Sequence, residues 1–156
     1  MRPQITIALV AFLSVFPGLA CGGERISGPV KARLLDVRDG DTIEVLASVW
    51  PQHEVRVFVR LRGIDAPEIS GNCAHERQLA RAARDRLQQM LSQDHVHLRD
   101  ISGGKYFGRV LASVIGPASL DVQKALMKEG HVRPYFGKRR KSWCDAADMT
   151  HGKPSG

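Results

Sequence analysis

Four carboxylates and two guanidiniums supply the chemistry open to this chain. Asp39 and Asp41 flank a glycine, and Asp65 and Glu68 flank Ala66-Pro67. All four fall where an apolar alternation breaks, at turns or strand ends of one continuous stretch. Carboxylates delivered to one rim repel each other unless a cation sits among them. Oxygen donors with no adjoining His or Cys favour Ca²⁺ or Mg²⁺ over zinc. The plainer reading of Asp39-Gly40-Asp41 is a turn and nothing more, since Asp-Gly is common turn chemistry. Arg60, on the run that leads to Asp65, and Arg109, beside Gly108, are the matching cations. A guanidinium grips phosphate bidentately and stays charged at any working pH. Singly, each arginine also reads as a solvated strand cation. Together with the acids they describe a place to hold a divalent ion and a phosphate at once.

Such residues need a scaffold, and the hydrophobic pattern provides one. Val30, Ala32 and Leu34 alternate with Lys31 and Arg33, followed by Leu35 and Val37, which predicts a strand. Ile43, Val45 and Ala47 resume the alternation, and Asp-Gly between two such runs predicts a hairpin. After the turn Trp50-Pro51-Gln52-His53, a third strand is expected from Val55 to Ile64. Val59 and Leu61 share one of its faces, Arg60 and Arg62 the other, and Arg62 reads as a surface cation. Asn72 is the candidate N-cap of a helix from Ala74 to Ser92, with Leu79, Ala83, Leu87 and Met90 or Leu91 at helical spacing. Short strands follow at Val96–Asp100 and Val110–Ile115. Ser119 is the expected cap of a second helix, Leu120 to Glu129, closed by Gly130. This order predicts an α+β fold: a five-stranded OB-type β-barrel with a long helix after strand 3 and a second helix after strand 5.

The chain has 156 residues, 23 Lys and Arg against 16 Asp and Glu, and a net charge of +7. Residues 1–20 carry Arg2, an apolar run from Ile5 to Phe16 and a small-residue ending Gly18-Leu19-Ala20, the pattern of an export signal. Its apolar run is too short for a comfortable membrane span. Removing it deletes Arg2 and no acid, so the mature chain keeps a charge one lower and stays basic. Lipidation of Cys21 ranks second, because the leucine falls one place late. Residues 21–28 read as a linker, 29–145 as the folded domain and 146–156 as a fraying tail. In an oxidising compartment the expected disulfide is Cys73 with Cys144, three unpaired thiols being the alternative. A basic exported protein points to a polyanionic partner, nucleic acid first. The run Lys138-Arg139-Arg140-Lys141 reads as a solvated tail that adds salt-dependent affinity.

Three motifs then meet in one family. Asp39-Gly40-Asp41-Thr42, Arg60-Leu61-Arg62-Gly63-Ile64-Asp65-Ala66-Pro67-Glu68 and Tyr106-Phe107-Gly108-Arg109-Val110-Leu111-Ala112 closely resemble the staphylococcal nuclease (thermonuclease) family in residues, order and interval. The helix carrying Cys73, Glu76, Ala80 and Arg84, and the ending Gly130 to Tyr135 through Trp143-Cys144, are similar to its exported bacterial members. The resemblance spans Val30 to Cys144. It implies Asp41 and Asp65 as metal-binding aspartates, with the carbonyl of Ala66 as a further calcium ligand and Asp39 just outside. It implies Glu68 as general base for the attacking water, and Arg60 and Arg109 as phosphate clamps. The implied reaction is Ca²⁺-dependent cleavage of the 5′ P–O bond of DNA or RNA, leaving 3′-phosphate ends. Ala66 replaces a hydroxyl residue common there, which a carbonyl ligand survives, and Phe107 cannot offer substrate a hydroxyl.

Other readings compete at this level. A silent OB module would bind single-stranded nucleic acid through a basic groove and aromatics, without the full set Arg60, Asp65, Glu68 and Arg109. An envelope protein would rest on Cys21 and the disulfide. His75-Glu76 lacks the second histidine of a zinc-protease helix, and His95 and His97 share one strand face as polar surface. Tyr135 is either a base-stacking residue or a packing residue. The expected protein is a periplasmic or secreted monomer acting on single-stranded or frayed DNA, or on RNA, with no stable membrane span once the signal is cleaved.

Overall fold

Period-two alternation governs residues 30 to 61 and closes a barrel. The structure, a computed structural model, describes residues 24–91 and 95–144. The expected signal over 1–20, Cys21 and the expected tail over 146–156 lie outside the described residues. The strands are β1 (Arg25–Ile26), β2 (Val30–Asp39), β3 (Thr42–Trp50), β4 (His53–Leu61), β5 (Ile64–Asp65), β6 (His95–Gly103), β7 (Arg109–Ile115) and β8 (Arg133–Pro134). Helix α1 (Ala74–Met90) follows β5, and α2 (Val122–Lys128) follows β7. Neighbours run β2-β3-β4-β7-β6, and β6 returns to β2. The contact of β4 with β7 is parallel and the other barrel pairings are antiparallel. This is the expected five-stranded OB-type barrel, with a helix after its third and its fifth strand.

Several boundaries differ from the sequence expectation, each for a local reason. Gly63 adopts φ +79°, a left-handed conformation that ends β4. The rest of that run, Ile64 and Asp65, pairs with Pro134 and Arg133 of β8. Asp65 is thereby seated against the C-terminal segment. Within the expected linker, Arg25 and Ile26 pair with Ser102 and Ile101 of β6. The N-cap of α1 is Cys73, not Asn72, its sulfur accepting from the Glu76 amide. Asp121, not Ser119, caps α2, its carboxylate accepting from the Lys124 amide at 3.1 Å. Ser119 and Ala118 sit at positive φ in a short 3₁₀ turn before it.

Ile43, Val45, Val59, Leu61, Val96, Leu98, Ala112 and Val114 fill the barrel and are essentially buried. Each large aliphatic buried there stabilises the fold by about 1.5–3 kcal/mol. Helix α1 covers one end with a stripe at Glu76, Ala80, Ala83, Leu87 and Met90, the spacing of a single helical face. Leu79, expected on that stripe, is only half-buried. Arg86 joins the helices through paired hydrogen bonds to Glu129 at 2.6 and 2.8 Å.

Gly40 shows how tightly the Asp39–Asp41 turn is pressed against α1. A Cβ there would lie 2.6 Å from the Ala83 Cβ and 2.9 Å from the Ala66 Cβ, so backbone would have to shift. Gly40→Ala is expected to destabilise the fold by about 1–3 kcal/mol, read as a lower urea midpoint at constant m. An unchanged midpoint would contradict this packing.

On the barrel's outer face Glu44 is buried and bridges Arg38 and Arg56. The Arg56 hydrogen bond, opposed by burial and helped by Arg38, holds its carboxyl below the ordinary glutamate range. A depressed folded-state pKa stabilises above the unfolded value, about pH 4.3, and that stabilisation is lost as pH falls through the folded value. Glu44→Gln is therefore expected to lower Tm near neutral pH, the gap closing as pH falls below about 4.3. Thermal melts across that range check it; a gap that widens in acid would refute it.

Candidate active site at the barrel rim

The hairpin turn is organised by its own acids. Asp39 Oδ1 accepts the Asp41 amide at 3.0 Å, and Asp41 Oδ1 accepts the Thr42 hydroxyl at 3.1 Å. Asp41 Oδ2 accepts the Ala66 amide at 2.9 Å, tying the hairpin to the end of β5. Asp41 and Asp65 are 2% and 4% exposed, far below what an aspartate tolerates without compensation. Compensation comes from Arg60 on β4. Its guanidinium contacts Asp41 Oδ1, lies 3.7 Å from Asp65 Oδ1 and donates to the Ile64 carbonyl. Burial lowers the pKa of Arg60 against the raising fields of Asp39 and Asp65, yet an arginine stays charged under any working condition. Burial also raises the Asp39 carboxyl, opposed by its hydrogen bonds to Thr42 and by Arg60.

Arg109 enters from the first residue of β7, in register with Phe58 of β4. Its guanidinium stacks 4.8 Å from the Tyr106 ring. Among the described residues it has no carboxylate partner, and its buried Nε takes no hydrogen bond. A cleft of about 460 Å³ is lined by Asp39, Asp41, Arg60, Ala66, Glu68 and Arg109, with Tyr106 and Tyr135 at its wall. Asp65 borders an adjoining cavity of about 510 Å³, and Tyr135 and Arg140 line both. Every residue singled out from the sequence for metal or phosphate therefore converges on this rim.

A hard divalent ion fits the donor set. Asp65 Oδ1 is buried and its partners are guanidiniums, Arg140 at 2.6 Å and Arg60 at 3.7 Å, so it is an anionic oxygen that already attracts cations. Asp41, which shares Arg60 with it, and the Ala66 carbonyl, which shares Arg140 with it, add oxygens, the ligand type of Ca²⁺ or Mg²⁺. Behind the Pro67-Glu68 turn, Cys73, Glu76 and Cys144 are close enough to suggest a metal group, but both sulfurs are engaged in the Cys73–Cys144 disulfide, with Cα atoms 6.0 Å apart.

The geometry also brings in residues that sequence patterns passed over. Arg140, read as part of a solvated tail, reaches Asp65 at 2.6 Å, the Ala66 carbonyl at 3.0 Å and the Glu68 carboxylate. Trp143 is buried and donates its indole N–H to Asp65 Oδ2 at 3.2 Å, with Arg133 stacked 3.7 Å from the ring. Glu76, in the first turn of α1, accepts the Glu68 amide at 3.2 Å and so holds the Pro67-Glu68 turn. Arg62 is no surface cation: it donates to the carbonyls of Asp100 and Leu111 and to the Ser102 hydroxyl, lacing β4, β6 and β7. His95 and His97 are exposed opposite Arg33 and Lys31, on strand surface as expected.

Trp143→Phe keeps an aromatic and removes the donor. A buried carboxylate oxygen left without its partner costs about 1–3 kcal/mol. The expected result is a loss of stability of that order, read as a lower Tm and recovered in part by Asp65→Asn in the same background. A Tm equal to wild type would contradict the bond.

The sequence profile described as staphylococcal nuclease homologue matches residues 58–150. The chain belongs to this family. No curated protein sequence matches it. As a staphylococcal nuclease homologue it carries Arg60, Asp65, Glu68, Arg109, Arg140 and Trp143 inside the matched span. Asp39 and Asp41 lie upstream of that span, and the Asp41–Ala66 hydrogen bond is what joins them to the homologue's rim.

Proposed function

We propose that this staphylococcal nuclease homologue is an exported, Ca²⁺-dependent nuclease that cuts the 5′ P–O bond of DNA or RNA and leaves 3′-phosphate ends. Family membership makes nucleic-acid phosphodiester hydrolysis the expected activity, and the finer statements are our own. The observation that supports them is convergence at one rim: Asp41, Arg60, Glu68 and Arg109 line one cleft, and the buried Asp65 borders the cavity beside it. Asp41, Asp65 and the Ala66 carbonyl would hold the ion. When bound, Ca²⁺ would neutralise charge growing on a phosphate oxygen. Arg109, with no carboxylate to compete, grips a non-bridging phosphate oxygen, and Arg60 takes another once substrate charge rivals that of Asp41. Glu68, half-exposed at the cleft, accepts the proton of the attacking water. Tyr135 and Tyr106 are placed to stack on bases beside the scissile phosphate. One copy supplies every residue used, which supports a monomer, and the disulfide supports an oxidising compartment outside the cytoplasm. No described helix is long and apolar enough to cross a membrane.

Product ends test the bond assignment. Digestion of a single-stranded oligonucleotide is expected to give 5′-hydroxyl fragments that a kinase labels directly and 3′-phosphates that a phosphatase removes. Fragments with 5′-phosphates and 3′-hydroxyls would contradict it.

A further inference from the structure

Arg140 stands apart from the other basic residues of its segment. All three of Arg139, Arg140 and Lys141 are exposed, but Arg139 and Lys141 make no hydrogen bond or ion pair among the described residues. Arg140 instead spreads its guanidinium over three oxygen sites: Asp65 Oδ1, the Ala66 carbonyl and Glu68 Oε1. These are two of the three assigned ion ligands and the assigned base. The segment that carries it is fastened at both ends. On one side β8 pairs with β5 at Asp65 itself; on the other, Trp143 bonds to Asp65 and Cys144 is joined covalently to Cys73. The guanidinium is thus a cation on a short tether, at an effective concentration no free ligand matches easily.

We infer that Arg140 is a built-in competitor for the divalent-ion site, so that ion binding requires the guanidinium to withdraw from Asp65 and Ala66. The proposal rests on reading Asp65 and Ala66 as ion ligands. A guanidinium and a dication cannot share the same oxygens at contact distance without strong mutual repulsion. Binding of either therefore weakens the other by the same factor. If the engaged arrangement outweighs the withdrawn one by about ten to one, ion affinity falls by about that ratio. The disulfide, the β5–β8 pairing and the Trp143–Asp65 bond together confine the strap over the rim and so favour the engaged arrangement. In the withdrawn state Glu68 regains its free carboxylate, so ion binding and release of the base are one event.

Calorimetric titration of CaCl₂ into the oxidised full chain tests this without reference to turnover. Arg140→Gln is expected to tighten Ca²⁺ binding about tenfold. Arg139→Gln removes the same charge from the neighbouring residue without the contact, and is expected to stay within about twofold of wild type. Arg140→Lys keeps the charge but cannot span three oxygens, and should fall between; it also carries the test should the glutamine variant fold poorly. Equal or weaker binding by Arg140→Gln, an equal gain from Arg139→Gln, or no Ca²⁺ binding by any of them overturns the inference. Should those proteins still cleave DNA in a Ca²⁺-dependent way, the competitor is lost and the nuclease reading stands. Absence of both binding and cleavage sinks the two together.

Discussion

Glu68→Gln is expected to slow cleavage of single-stranded DNA by about 10²- to 10⁴-fold, the range by which a positioned general base contributes. The substitution keeps the size of the side chain and an oxygen for Arg140, and it leaves the backbone bond from the Glu68 amide to Glu76 untouched. What it removes is basicity. Binding of substrate rests on the arginines, so KM should change little while kcat collapses. Single-turnover cleavage of a labelled oligonucleotide, with a thermal melt as control, separates these. A rate within about threefold of wild type would remove Glu68 from the role of base, since base catalysis is worth far more than that.

Arg109→Ala is expected to cost about 10²- to 10³-fold in rate, the effect of losing one preorganised donor to developing phosphate charge. Among the six chemical residues it gives the cleanest reading. Arg60 cannot be removed without leaving the buried Asp41 without its guanidinium, so its loss confounds folding with chemistry. Arg109 has no carboxylate ion-pair partner among the described residues, and its contact is a stack on the exposed Tyr106 ring. Its variant should melt within about 1 kcal/mol of wild type, as surface-like contacts of this kind contribute at most that. Full folding with a large rate loss is the expected combination; full folding with full activity would refute the clamp.

Much of the fold and of the rim is legible in the sequence. Alternation, interrupted at Leu34-Leu35, marks three barrel strands, and Asp-Gly marks the first hairpin, because period and turn chemistry are local properties. The acids and arginines were legible as types at turns and strand ends, and the family resemblance supplied their roles. The cap assignments failed where two short polar or small residues compete within a few positions: Cys73 displaced Asn72, and Asp121 displaced Ser119, whose backbone is held in a left-handed turn. Splitting of the third strand is signalled by Gly63, and the expected boundary falls one residue late because Ile64 is apolar. Arg140 and Trp143 escaped for a different reason. Their partner, Asp65, lies far away in sequence, and a basic run followed by Trp-Cys looks the same whether it is solvated or strapped over a rim. Only the β5–β8 pairing and the disulfide bring those ends together. Tyr106 was similarly overshadowed by Phe107, which points fully outward while Tyr106 lines the cleft.

The central claim is that a divalent ion held by Asp41, Asp65 and Ala66 works with Arg60, Arg109 and Glu68 on a phosphodiester. The direct measurement is a time course of single-stranded DNA incubated with the oxidised protein in CaCl₂ or in EGTA. Cleavage in Ca²⁺, abolished by EGTA and restored by excess Ca²⁺, is the predicted result. Intact substrate in Ca²⁺, or equal cleavage in EGTA, would contradict it.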